Sequence, residues 1–154
     1  MTELTETDRA LLREMTRDAA QSAAALGRAV GLTQSATWRR LRQLEQAGVL
    51  GPRQLDLDAE GLGYGVTVFL GVKLALKGRV SLEDFERAVT AIPEVQTVEH
   101  VLGLYDYRLR VVARDLADFE RVLRRRIMTL PGAGNVEANV LLSEERRPGP
   151  LEIA

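Results

Sequence analysis

Apolar residues in the first third of the chain recur at helical spacing in three short segments. This periodicity predicts helices at residues 8–16, 22–30 and 33–48. The last helix begins at Thr33, a good N-cap, and stops at Gly48, a residue type preferred just beyond helix ends. Between the second and third helices there is only a tight turn at Gly31. Two helices joined in this way predict a helix-turn-helix, winged-helix-like domain.

The third predicted helix has two dissimilar faces. At about 100° per residue, Thr37, Leu41 and Leu44 point towards the first two helices. The opposite face is polar and basic, with Arg40 at its flank, and contains Ser35, Trp38, Arg39, Arg42 and Gln46. A buried seam backed by an arginine-bearing face is typical of a recognition helix, which enters the major groove of DNA.

Candidate contacts with double-stranded DNA lie at the start and on the exposed face of this helix. Arginine can bond guanine through two N–H groups, and Ser, Thr and Gln offer hydrogen bonds to bases or phosphates. The candidates are Thr33, Gln34, Ser35, Thr37, Trp38, Arg39, Arg40 and Arg42. A large exposed aromatic such as Trp38 needs a partner, which is expected to be thymine methyls, sugars or another subunit. The alternative interpretation is a three-helix bundle with a solvated basic face.

The rest of the chain alternates between strand and helix patterns. Strands are predicted at residues 66–76, 95–102, 107–113 and 136–142, and helices at 82–92 and 116–130. Residues 53–63 are interpreted as a short strand followed by a connector. The order βαββαβ is the ferredoxin-like plan, in which two helices cover one face of a four-stranded antiparallel sheet. The predicted fold class is therefore α+β.

The first strand of this sheet predicts self-association. It is apolar at consecutive positions, with Val68, Leu70, Val72 and Leu74 on one face and Phe69 and Gly71 on the other. A sheet that is apolar on both faces but has helices on only one needs a second cover. We therefore expect a homodimer formed through the open face.

Domain boundaries follow from these elements. We expect a helix-turn-helix domain at residues 1–52, a connecting strand and linker at 53–65, and a domain for effector binding and oligomerisation at 66–146. Residues 147–154 are expected to form a C-terminal tail.

Composition and charge narrow the function classes. The chain has a formal net charge of −1, no cysteine, and His100 as its single histidine. These counts argue against an indiscriminate nucleic-acid coat, a thiolate metal site and a histidine-based catalytic centre. No stretch approaches the roughly 20 apolar residues of a membrane span, and the N-terminus lacks a signal-peptide pattern. We therefore expect a cytoplasmic protein without a membrane partner.

Several separate motifs resemble the Lrp/AsnC family of transcriptional regulators, also called feast/famine regulators. They lie at residues 4–8, 26–37, 40–50, 57–63, 93–98, 103–107 and 130–132. The resemblance implies a helix-turn-helix followed by a βαββαβ effector domain, and dimers that often assemble into octamers. It also implies an amino acid or related metabolite bound between subunits, and no cofactor.

The resemblance also implies where the effector binds. Its Gly-x-x-Asp motif corresponds to Gly103, Tyr105 and Asp106, where a glycine allows close backbone approach and a carboxylate can meet an α-ammonium group. The same residues also suit a tight β-hairpin turn, and that interpretation stays open. Ala138 stands where the family commonly has a threonine near the effector, which argues for an unusual ligand. Two further departures are Arg53, in place of an aromatic residue, and a tail with Arg146 in place of lysine.

Two other interpretations stay open. Distant relatives of this two-domain plan include decarboxylases of haem biosynthesis, which rely on histidine and arginine. Because His100 alternates with Val98 and Leu102 on a predicted strand and no second histidine is present, an enzyme is poorly supported. The second alternative is a regulator that has lost its ligand and binds DNA constitutively.

Overall fold

The fold is given by a computed structural model that describes residues 3–52, 55, 57–75, 82–145 and 153. The chain divides into two compact units. The N-terminal unit comprises Met1–Leu55 together with Glu145–Ala154, and the C-terminal unit comprises Asp56–Glu144. The predicted departures at Arg53 and Arg146 lie outside the described residues.

Three helices build the N-terminal unit, as the periodicity predicted. They are α1 (Glu6–Arg17), α2 (Ala23–Val30) and α3 (Gln34–Gln46). Each begins after a hydroxyl-bearing N-cap whose side chain accepts a backbone N–H of the first turn: Thr5, Ser22 and Thr33. These caps satisfy N–H groups that have no partner within the helix. The described residues of this unit contain helices and no strand, which is the plain form of the helix-turn-helix.

Close approach between α2 and α3 depends on one glycine. A Cβ on Gly27 would lie 2.6 Å from Oγ1 of Thr37 and 2.7 Å from the carbonyl oxygen of Leu32. Gly31 then ends α2 with a left-handed φ of 73°, a conformation that glycine adopts without steric cost. A small apolar cluster, which includes Leu11, Met15, Leu26 and Leu41, fills the space between the helices. This packing holds the inward side of α3 and leaves its other side in solvent.

The C-terminal unit has the predicted βαββαβ order. Its elements are β1 (Val66–Leu74), α4 (Leu82–Thr90), β2 (Val95–His100), β3 (Tyr107–Ala113), α5 (Leu116–Val122) and β4 (Ala133–Val140). A π-helical turn, Leu123–Ile127, continues α5, whereas the sequence predicted one uninterrupted helix over 116–130. The strands form an antiparallel sheet in the order β2-β3-β1-β4.

Several predicted strand boundaries were wrong. The first strand ends at Leu74 rather than at 76, and the second ends at His100 rather than at 102. The last strand begins at Ala133 and ends at Val140, rather than covering 136–142. Residues 53–63 were predicted to form a short strand followed by a connector. Those that the structure describes form turns at 59–63 and no strand, so only the connector is observed. Hydrogen bonds from Leu62 N–H to Asp58 and Ala59 oxygens and from Tyr64 N–H to Ala59 oxygen stabilise these turns. Across the described residues, no helix combines the length and apolar character that crossing a bilayer requires.

Alternation along the strands separates a core face from an open face. Val68, Leu70 and Val72 point into the core with Phe85 and Val89 of α4. The open face carries the intervening positions, which register places side by side: Thr67, Phe69, Gly71 and Lys73 of β1, Arg108 and Arg110 of β3, and Glu137 and Asn139 of β4. The expectation of an apolar open face holds only in part. Phe69 and Val112, which pairs with Thr67, are apolar, but the other residues that β3 and β4 contribute are polar. Phe69 lies beneath the guanidinium groups of Arg108 and Arg110.

Candidate nucleic-acid interface and ligand site

The outward side of α3 presents polar, basic and aromatic groups together. Gln34, Ser35, Trp38, Arg39 and Arg42 are all exposed. Thr33 is exposed as well, and its Oγ1 accepts the N–H of Ala36 at 3.2 Å, so it starts the helix. Thr33, Gln34, Ser35 and Trp38 line an open hollow of about 670 Å³. The N-terminal half of α3 therefore offers donors, acceptors and an aromatic ring on one accessible surface.

Trp38 and Arg42 form a stacked pair on this surface. The Trp38 side chain is 54% exposed, and the guanidinium carbon of Arg42 lies 4.5 Å from its ring centroid. The two residues are one helical turn apart, so their side chains share one side of α3. Such cation–π contact holds the guanidinium by its face, which leaves its N–H edges available to other partners.

Thr37 was wrongly included among the DNA contacts. Its side chain is fully buried, its hydroxyl donates to the carbonyl oxygen of Thr33 at 2.9 Å, and it lies against Gly27. The helical wheel had already placed Thr37 on the inward seam. Its contribution is to hold α3 against α2, because a side chain without exposed surface cannot contact DNA.

Arg40 is engaged inside the N-terminal unit. Its Nη1 lies 2.9 Å from Oδ1 of Asp8 and 3.3 Å from Oγ1 of Thr5, and one third of its side chain is exposed. Asp8 and Thr5 form a capping box at the start of α1. Burial alone would raise the pKa of Asp8, but hydrogen bonds from Thr5 and the contact with Arg40 outweigh it and lower that pKa. Arg40 therefore ties α3 to the start of α1.

A second group of polar residues lies on the open face of the sheet around Gly71. The ring of Tyr105 covers this glycine so closely that a Cβ there would lie 2.5 Å from the ring. The Tyr105 hydroxyl donates to Glu137, which pairs with Gly71 in the sheet register. This hydrogen bond is the main cause of a raised pKa at Tyr105 and a lowered pKa at Glu137, so Glu137 is held in its charged form. On the other flank of Gly71, the register places Arg108.

Asp106 closes the β2–β3 hairpin onto β1. Its two carboxylate oxygens accept hydrogen bonds from Lys73 Nζ and from Leu74 N–H, both at 2.8 Å, and its own N–H donates to Val72. The hydrogen bond from Lys73 is the largest cause of its lowered pKa. Each carboxylate oxygen thus accepts a hydrogen bond that ties the hairpin to β1, as the turn interpretation requires. Because a carboxylate has further lone pairs, the ligand role of Asp106 stays a prediction.

The four predicted effector residues do not converge within one protomer. Ala138 pairs with Leu70 and so belongs to the core side of β4, whereas Tyr105 lies on the open side with Gly71. Gly103 is exposed, and no atom lies within 4 Å of where its Cβ would be. Sequence reasoning missed Glu137 and the role of Gly71. A glycine inside a strand, which often marks close approach of another group, was the signal for Gly71.

His100 stacks on an internal tyrosine. Its ring lies 4.8 Å from that of Tyr107 at an interplanar angle of 18°. The Tyr107 hydroxyl donates to Glu86 at 2.7 Å. In the part of the chain that the structure describes, no cluster of three or more His, Cys, Asp or Glu side chains could hold a metal ion. His100 itself is exposed at the end of β2, and its observed contact is the stack on Tyr107.

Two family models match the chain. The description of one is "AsnC-type helix-turn-helix domain", and it matches residues 4–45. The other is "Lrp/AsnC ligand binding domain", and it matches residues 67–151. Together they extend over both structural units, and the first includes all of α1, α2 and nearly all of α3.

Relatives match over almost the whole chain. The DNA-binding transcriptional activator DecR of Escherichia coli is 32% identical over 97% of this chain and 99% of its own length. The transcriptional regulator AzlB of Bacillus subtilis is 30% identical, covering 94% and 92% respectively. A transcriptional regulator of Neisseria meningitidis, solved in complex with L-Met, superimposes with a TM-score of 0.86 at 26% identity and covers 97% of each chain.

Proposed function

The chain belongs to the Lrp/AsnC family of transcriptional regulators, and we propose that it recognises specific duplex DNA through α3 and adjusts that binding to a small amino-acid-like metabolite. The observation that carries the first part is the composition of the exposed side of α3. The observation that supports the second part is the pair of opposite charges flanking Gly71 on the open sheet face.

DNA recognition is assigned to the accessible members of the predicted set. Trp38, Arg39 and Arg42 would reach base edges or phosphates, because the first turns of a recognition helix lie deepest in the major groove. Gln34 and Ser35 would supply hydrogen bonds at the entry of the helix. Thr33 would contribute mainly through its cap, and Thr37 and Arg40 support the helix from its inner side and flank.

The proposed effector site uses the polar cluster around Gly71. A free amino acid carries an ammonium and a carboxylate, so its site needs an acceptor and a donor close together. Glu137 on β4 would accept the ammonium group and Arg108 on β3 would bind the carboxylate, with Tyr105 between them. Arg108 can take this role because its side chain is more than half exposed. Its ion pair with Glu99 is long, with 4.0 Å between Nε and the carboxylate oxygen. The L-Met bound by the Neisseria meningitidis regulator is consistent with a ligand of this class.

We further propose that the open sheet face is covered by a second copy of the chain. Phe69 lies near the middle of that face and is only partly shielded by arginines. A partner would bury it and would enclose the ligand between the two open faces. The family resemblance implies that such dimers assemble further into octamers. The molar mass of the purified protein in solution measures this assembly.

A gel shift with the full chain tests DNA binding. The bait is the region upstream of the gene, at two salt concentrations and with competitor DNA. We expect a discrete complex whose affinity falls in Arg39→Ala and Arg42→Ala, with the salt slope reduced by about 0.9 for each phosphate contact removed. Arg125→Ala is the matched control, because Arg125 is exposed on the π-helical turn and belongs to the C-terminal unit. Equal affinity in all three variants and the wild type would exclude α3 as the DNA-contacting helix.

Thermal melting across a panel of amino acids tests the effector part. A ligand that binds only the folded protein raises the Tm with its concentration. We expect Glu137→Gln to abolish the rise and Glu120→Gln, which alters an exposed carboxylate on α5, to retain it. A full response in Glu137→Gln would exclude the Gly71 cluster as the ammonium site.

A further inference from the structure

We propose that Trp38 and Arg42 form a single reading unit for two adjacent base pairs, in which Trp38 contacts the 5-methyl group of a thymine and Arg42 bonds the neighbouring guanine. This inference rests on the proposed function, because it assumes that α3 enters the major groove. It goes further by assigning a sequence step to a specific pair of side chains.

Trp38 projects from α3 between two hollows. On one side it lines the 670 Å³ hollow with Thr33, Gln34 and Ser35. On the other it lines a hollow of about 430 Å³ together with Arg42 and Glu45, among others. The ring thus has exposed surface beside both hollows, and the guanidinium of Arg42 lies over it. A side chain in this position is accessible to whatever α3 docks against.

The chemistry of tryptophan restricts what it can meet in a major groove. Its indole is large, apolar and uncharged, with a single N–H donor, so it is poorly suited to a phosphate. Among the groups that base edges present in the major groove, the thymine methyl is the apolar one, and the others are hydrogen-bond donors or acceptors. An apolar ring delivered there by α3 therefore favours a thymine.

The stacking geometry sets the distance between the two contacts. The Arg42 guanidinium lies 4.5 Å from the Trp38 ring, which is comparable to the roughly 3.4 Å rise between base pairs. Two groups held at this separation reach consecutive base pairs rather than distant ones. Because the stack occupies the face of the guanidinium, its N–H edges remain free to bond O6 and N7 of guanine.

Arg42 also differs from its neighbour Arg40 in its partners. Arg40 is held by Asp8 at 2.9 Å, whereas no ion pair joins Arg42 to a carboxylate in the described ranges of the chain. The stack on Trp38 is thus the contact that orients Arg42 before DNA arrives. A preordered arginine loses less conformational entropy on binding than a free one.

Selection from a randomised duplex library, prepared once with thymine and once with uracil, tests the proposal. Uracil lacks only the 5-methyl group, so every hydrogen-bonding edge is retained. The wild-type protein is expected to select a half-site with thymine beside guanine, and uracil at that thymine is expected to weaken binding about fourfold, the value of one buried methyl-sized group. Trp38→Ala should bind thymine and uracil forms equally, and Trp38→Phe should restore part of the difference. Arg39→Ala should weaken both forms by the same factor.

The possible failures are distinguishable. If the wild type selects no sequence, the proposed function itself is contradicted. If it selects a sequence but uracil has no effect at any thymine position, or if Trp38→Ala still discriminates, only the reading unit is overturned. A change in the molar mass of Trp38→Ala in solution would instead assign Trp38 to an interface between copies of the chain, which also overturns the proposal.

Discussion

Replacing Asp8 tests whether α3 is held in place from the start of α1. Asp8 lies at the third position of α1, where its carboxylate accepts the N–H and hydroxyl of Thr5 and pairs with Arg40 on α3. Its side chain is 12% exposed, whereas that of Arg40 is 33% exposed. The pair thus lies at the edge of the core, where solvent screening is incomplete and Arg40 can still turn towards water.

The magnitude follows from the two interactions that Asp8→Ala removes. Loss of the capping-box carboxylate costs about 1 kcal/mol, and loss of a charge-assisted hydrogen bond to Arg40 costs about 1.5 kcal/mol. We expect the free energy of unfolding of the N-terminal unit to fall by about 2.5 kcal/mol. Glu6→Ala is the matched control, because it removes from the same first turn a carboxylate that is 78% exposed and pairs with Arg13. That change is expected to cost about 0.5 kcal/mol or less.

Urea denaturation followed by fluorescence measures the difference. Trp38 is the single tryptophan of the chain and lies on α3, so its emission reports on the unit that contains Asp8. With a slope of about 1.5 kcal/mol per molar urea, the loss of about 2.5 kcal/mol should lower the midpoint by roughly 1.7 M in Asp8→Ala. Equal midpoints for Asp8→Ala and Glu6→Ala would refute the reasoning.

The same ion pair predicts a dependence on pH. Because the pKa of Asp8 in the folded protein is lowered below its ordinary value of 3.8, its charged form contributes stability above about pH 4 that is lost as the pH falls through the folded pKa. The difference in the free energy of unfolding between the wild type and Asp8→Asn should therefore be largest near pH 7 and should shrink below pH 4.

Arg40→Met should weaken DNA binding while leaving the salt dependence of that binding unchanged, because Arg40 pairs with Asp8 rather than with phosphate.

Three further predictions concern packing and titration. Gly27→Ala should destabilise the N-terminal unit by about 2 kcal/mol in urea denaturation, since overpacking against a backbone carbonyl 2.7 Å away cannot relax easily; an unchanged midpoint would contradict this. Gly71→Ala should lower the Tm by displacing the Tyr105 ring, and the double variant with Tyr105→Ala should recover much of the loss; additive effects would exclude the clash as the cause. Burial, followed by the hydrogen bond to Glu86, raises the pKa of Tyr107 to about 12, so stability should fall between pH 10 and 12, and less steeply in Glu86→Gln, as followed by circular dichroism.

Local patterns were sufficient for most of the secondary structure. The caps Thr5, Ser22 and Thr33 and the left-handed glycine at Gly31 act over a few residues, so their sequence signals survive folding. The βαββαβ order likewise follows from a local pattern, in which segments with the two-residue period of strands alternate with segments that have the helical period of about 3.6 residues. The π-helical turn at Leu123–Ile127 was missed because one extra residue in a turn leaves the apolar stripe nearly unchanged.

The candidate sites depended on contacts between distant parts of the chain. Sequence periodicity identifies which residues of one strand share a face, but only the register between strands places Arg108, Gly71 and Glu137 side by side and Ala138 on the opposite face. Likewise, the helical wheel assigned Arg40 to a flank, and only the packing of α3 against α1 showed its partner, Asp8.

The sequence by itself determined the elements, their order and the family resemblance, because those depend on short-range propensity and on motifs. Tertiary structure decided which polar groups are available to a ligand. Thr37 has the right chemistry for a DNA contact, yet its burial commits it to the fold. Two hydrogen bonds tie the carboxylate of Asp106 to β1, a connection that its position in the sequence does not show. Whether a polar side chain can reach a ligand depends on neighbours that are distant in the sequence, and a local sequence pattern does not identify those neighbours.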